Sequence, residues 1–176
     1  MKPLSLLFLL LVLACGRSLA QTAARFEFDF ATGAQGFVGG FAAYPTNYNP
    51  GSHLLTADHR LRPANLGGAP ALCISGLNRS DDLFMFWKKK LAGLLPSTRV
   101  LLTLELEFAS KYRTGLFGIG GAPGDGVYLK TVVTSFEPVA VVPSGSTQSR
   151  MNLDKGNQSV GGQDMLESMT LASAPD

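Results

Sequence analysis

The chain has 176 residues, with 15 Lys and Arg against 13 Asp and Glu, and two Cys. Lys2 and Arg17 lie in an apolar leader without acids, and setting these two aside leaves 13 bases against 13 acids. That balance lacks the basic surface on which nucleic-acid binding depends, and the roughly 155 residues after the leader suffice for one domain.

The leader reads first. Lys2 precedes an apolar run over residues 4–14 that only Ser5 interrupts, followed by Cys15-Gly-Arg-Ser-Leu-Ala20. A charged start, an apolar core too short for a bilayer and a small-x-small site are the three parts of a secretory signal peptide, residues 1–20. The alternative is a lipoprotein leader, residues 1–14, in which Val12-Leu-Ala-Cys15 directs lipidation of Cys15. Acyl chains at Cys15 would anchor the protein to a membrane surface without spanning it. Both readings export the chain, to the periplasm, the exterior or the cell envelope.

Beyond the leader the period is two. Phe26-Glu-Phe-Asp-Phe30 alternates, and shorter strand candidates cover residues 36–44, 53–61, 71–75, 115–119, 127–133 and 136–142. Residues 80–93 carry helix-end signals, Ser80-Asp-Asp at the start and Lys88-Lys-Lys with Gly93 at the end. Their aromatic content, Phe84-Met-Phe-Trp87, predicts a strand instead. The strongest pattern spans residues 99–109: Val100, Leu102, Leu104, Leu106 and Phe108 on one face, Thr103, Glu105 and Glu107 on the other, with Leu101 the exception. Such alternation predicts a strand with one buried and one wet face. Gly, Pro and Asn clusters at 45–51, 63–70 and 118–126 separate the candidates. Short strands spaced by turns predict an all-β chain, an antiparallel β-sandwich or jelly roll over residues 25–160. No convincing closing C-terminal strand is visible, so residues 161–176 read as a poorly ordered tail or an incomplete final strand.

Catalytic signatures are absent: there is no Gly-x-Ser-x-Gly, His-Glu-x-x-His or Cys-x-x-Cys. The reading therefore leans away from an enzyme and names no catalytic residue or metal site. His53 and His59 have only Asp58 near them and read as exposed or edge histidines. Cys73, between Leu72 and Ile74, reads as a small buried hydrophobe without a disulfide partner. Glu105 and Glu107 share a strand face about 6.5–7 Å apart, a spacing carboxylate hydrolases use, but Ala109 takes the next place and a solvated face is the plainer reading. The glycine-rich 118–126 segment lacks the Lys-Ser/Thr of a phosphate loop.

Aromatic platforms beside oriented polar groups are what sugar rings need. That points to Trp87, Tyr44, Tyr48, Arg79, Asp81 and Asp82 as candidate ligand-binding residues. No cofactor is implied, beyond a structural calcium that Asp154, with Asn152 and Asn157, would help to hold through oxygen ligands.

Two resemblances add to this. Ala71-Leu-Cys-Ile-Ser-Gly76, Asp82-Leu-Phe-Met-Phe-Trp87 with the following Lys-Lys-Lys-Leu-Ala-Gly-Leu, and the Pro96-Ser-Thr turn into residues 100–108 resemble the galactose-binding-like jelly rolls of bacterial carbohydrate-binding modules. Phe28-Asp-Phe30, Gly36-Phe-Val-Gly-Gly-Phe41, Arg79 to Trp87 and Gly118 to Gly124, within residues 26–160, resemble uncharacterised exported bacterial proteins with that fold. The resemblance implies a non-catalytic exported protein that binds a glycan or another cell-envelope component. The alternatives are an envelope structural or adhesion protein with a protein partner, and a glycoside hydrolase.

Overall fold

The computed structural model describes residues 24–79, 82–119 and 121–172. The residues expected to form a leader, 1–20 with Cys15, and the candidate Asp81 lie outside the described residues. Among the described residues eight strands pair two by two into small antiparallel ribbons, with almost no helix.

The first ribbon joins β1 (Val38–Ala42) to β4 (Phe84–Lys88), with Gly39 opposite Trp87 and Ala42 opposite Phe84. The strand reading of residues 84–88 therefore holds over their helix-end signals. Both faces of this run are apolar and each has a surface to cover. Phe84 and Phe86 pack on Ala42, Met151, Leu153 and Met165, the buried apolar cluster. Trp87 lies over Gly39, where a β-carbon would stand 3.1 Å from the indole Cζ3. The bare backbone there is what lets the ring come this close to the strand.

The second ribbon is a hairpin of β2 (Thr56–Leu61) and β3 (Pro70–Ser75), closed through a 3-10 turn at Ala64–Leu66. Cys73 in β3 is half-buried, and its sulfur accepts a hydrogen bond from Arg60 Nη2 at 2.7 Å. β5 (Tyr128–Thr131) pairs with β8 (Leu166–Thr170) through a register shift at Leu129/Lys130. Residues 166–170, within the stretch expected as a tail or incomplete final strand, thus form β8. β6 (Ala140–Val141) pairs with β7 (Arg150–Met151). The chain around Ser149 also runs beside residues 43–46, through Ala43 N to Ser149 O at 3.0 Å and Thr46 N to Thr147 O at 2.8 Å. Among the described residues no ribbon closes into a larger sheet.

Among the described residues three expected strands form no ladders. In residues 26–30, Asp29 accepts the Ala31 N–H at 3.0 Å and Gln35 Nε2 at 2.7 Å, and Phe30 takes φ 57°. A side chain that captures its own backbone bends the chain out of the extended state. Phe28 and Phe30 stand edge-on to Phe37 instead, at 5.1 and 5.5 Å between centroids. Residues 115–119 are also without a strand. Residues 99–109, the clearest pattern in the sequence, have no ladder among the described residues, and Leu101 is 87 % exposed. Leu102, Leu104 and Leu106 do share a face, directed at β5 and β8 across a groove of about 460 Å³ that Leu129, Val133, Leu166 and Met169 also line. The pattern chose the face correctly, but a ladder needs a partner edge as well. Among the described residues no helix is long and apolar enough to cross a membrane.

Candidate functional site

Two features flank residues 43–44: a polar cleft on one side and a tyrosine pair on the other.

The cleft encloses about 380 Å³. Ala43, Met151 and Leu153 give it an apolar floor, and Asp82, Arg150, Asp154, Lys155 and Asn157 give it polar walls. One wall is the loop between Leu153 and Met165, which Asp154 organises. Its carboxylate accepts the N–H groups of Gly156 at 2.9 Å and Gln163 at 3.0 Å. Its own N–H donates to Asp164 Oδ2 at 2.7 Å, and its carbonyl accepts from Asp164 and Met165 at 3.2 Å each. The amides of Gln163 and Gly156 hold the Asp154 carboxyl below the usual carboxylate range, because they bond its charged form.

Lys130, from β5, fastens the same loop. Its ammonium donates to the carbonyls of Lys155 at 2.8 Å and Val160 at 2.7 Å. Burial, and then the nearby Lys155 charge, lower its pKa. Lys155 itself extends over the Phe84 ring, 5.7 Å from the centroid. Asp82 and Arg150 are exposed and have no ion pair among the described residues, which leaves a carboxylate and a guanidinium available at the cleft.

The tyrosine pair sits on the other side. Tyr44 and Tyr48 meet edge to face at 4.8 Å, and Tyr48 meets the His53 ring at 4.9 Å. The short helical turn Pro50–His53 places His53 there, with Asn49 capping it by accepting the Gly51 N–H at 2.9 Å. Arg79 Nε donates to Ser52 O at 2.7 Å and so clamps this turn. The Ser52 hydroxyl donates to Asn49 O at 2.7 Å and lies 2.9 Å from His53 Nδ1. With its proton committed to that carbonyl, the hydroxyl accepts from Nδ1–H, which assigns the lone pair to Nε2. Nε2 is buried without a hydrogen-bond partner among the described residues. His53 is 5 % exposed, which corrects the expectation of an exposed or edge histidine. Burial is the first cause raising the Tyr44 phenol, and the adjoining Tyr48 adds to it.

Of the expected ligand-binding residues, the structure brings Tyr44, Tyr48 and Arg79 together around one turn and places Asp82 in the cleft. Trp87 is half-buried on the strand face turned toward β2, apart from both. His59 lies away from His53, with Nε2 2.7 Å from Phe30 O. Glu105 and Glu107 are exposed, and Glu107 pairs with Arg62 at 3.5 Å. Asn152 spends its amide on Val139 N and Glu137 O, both at 2.9 Å, away from Asp154. Among the described residues no three His, Cys, Asp or Glu groups converge as a metal site would require.

Sequence reasoning missed Arg150 and Lys155, which lie in a Ser-, Gly- and Asn-rich stretch without periodicity. The available signal was Asp154-Lys-Gly156, an acid two residues before a glycine, the spacing of a carboxylate-bonded turn.

No match was found for this chain among family models, curated proteins or solved structures.

Proposed function

We propose that this is an exported, non-catalytic β-sandwich of jelly-roll type that binds a glycan or another component of the cell envelope. The leader supports export. The observation that carries the binding is the cleft, where Asp82 and Arg150, without an ion pair among the described residues, stand with Lys155 and Asn157 above an apolar floor. Carboxylate, guanidinium and amide groups bond sugar hydroxyls in pairs, and an apolar floor accepts the ring's C–H face.

A glycan array followed by calorimetry tests this. We expect one polysaccharide class to bind, with Asp82→Ala and Arg150→Ala each weakening it at least about tenfold, or 1.4 kcal/mol, without lowering the melting temperature. Failure to bind any polysaccharide, or binding that ignores both changes, would refute it. Tyr44→Ala and Trp87→Ala separate the two aromatic positions: a contribution from the tyrosine pair weakens binding only in the first.

A second reading, an envelope adhesion or structural protein with a protein partner, rests on the apolar, unladdered residues 99–109. Capture from envelope fractions that survives deletion of both cleft charges would favour it.

A further inference from the structure

We infer that residues 98–108 are a self-complementary edge through which two copies of this chain pair as antiparallel strands. The starting point is exposure: every residue from 92 to 109 is exposed, and residues 99–109 have no ladder among the described residues. An extended, unladdered segment offers its amides and carbonyls to any strand that matches it.

Charge selects the match. In an antiparallel pair of identical strands, residues opposite each other sum to a constant, and apolar faces coincide only when that constant is even. Centring the two-fold axis on Glu105, Leu106 or Glu107 sets glutamates opposite one another. Centring it on Leu102 runs the ladder into the turn at Pro96-Ser97, where Pro96 has no N–H to give. Centring it on Leu104 also avoids both faults but sets Arg99 opposite Ala109 and Glu107 opposite Leu101, pairing no charges, whereas centring it on Thr103 sets Arg99 opposite Glu107 at each end. On the dry face it sets Leu102 opposite Leu104 and Val100 opposite Leu106. Arg99 has no ion pair among the described residues, and Glu107 is 90 % exposed in its contact with Arg62. A two-fold axis with opposite charges equidistant from it is the signature of an isologous contact, which commits the occupant to a second copy.

Eleven residues at about 3.3 Å each give an edge near 35 Å long. That lies at the small end of specific interfaces, so the dimer forms reversibly with concentration.

Sedimentation equilibrium of the purified protein, from about micromolar to about millimolar, tests this. We expect a monomer–dimer equilibrium in the unaltered chain. Arg99→Glu and Glu107→Lys, both at exposed positions, should each weaken it at least tenfold, because each sets like charges face to face. An equimolar mixture of the two variants should recover the dimer, since a 99–107 pair of opposite sign then forms at both ends. The mixture also discounts the Arg62 contact, which only one variant loses. A monomer throughout the range overturns the inference and leaves the edge to another protein. A dimer indifferent to both variants, or a mixture that does not recover, overturns it equally.

Discussion

The loop between Leu153 and Met165 and the segment 99–109 both border the β5–β8 ribbon and invert the usual expectation. The loop is polar and without period, yet it is closely tied. Asp154 accepts four amides, two at its carboxylate and two at its carbonyl, Lys130 holds two carbonyls, and Leu153 and Met165 at the loop's ends are 8 % and 6 % exposed. The segment has the strongest hydrophobic pattern in the chain, yet Leu104 is 58 % exposed. A pattern states which face gains from burial, whereas order comes from partners that meet the backbone groups.

That contrast can be broken from the loop side first. Gly162→Ala drives a β-carbon into the Asp154 carbonyl and the Gly156 amide, backbone atoms that cannot swing away. We expect a loss of about 3 kcal/mol in urea unfolding, the upper end for overpacking. Met151→Ala empties part of the small cluster beneath the loop and should cost about 2 kcal/mol by the same measurement. Lys130→Met keeps the stem and removes both carbonyl bonds, with an expected loss of about 1.5 kcal/mol.

Acid gives a subtler effect. Asp154 is lowered in the folded state, so its contribution is complete above the ordinary carboxylate range, about pH 4. It is lost as the pH falls through the lowered value, since the unfolded chain takes up the proton first. Melting temperatures followed into acid should fall less steeply for Asp154→Asn than for the unaltered chain. The smallest effect belongs to the other side: Leu104→Ala, in dilute protein, should change unfolding by no more than about 0.5 kcal/mol. A large loss there would mean that the segment is packed after all.

Much of the strand content was legible, for definite reasons. Residues 38–42, 56–61, 70–75, 84–88 and 128–131 lie within or beside runs that alternation or aromatic content marks, and each has a partner strand. Of the expected strand 136–142 only Ala140–Val141 pairs, as β6, and its partner β7 is too short for any period to show. β8 was obscure because Leu166-Glu-Ser-Met-Thr170 carries a register irregularity that disrupts simple alternation. The site was legible only in part. Tyr44, Tyr48 and Arg79 announced themselves by residue type, but their meeting depends on a four-residue helical turn capped by Asn49. Arg150 and Lys155 owe their place to tertiary pairing alone.

Lys130 has one further consequence. Loops rich in carbonyl oxygen are often gathered by a bound ion, whose occupancy follows the surrounding medium. Here the positive centre is tethered to β5 by its own side chain, so it neither dissociates nor answers to chelators, and one wall of the cleft keeps its shape across changes in the ionic make-up of the fluid outside.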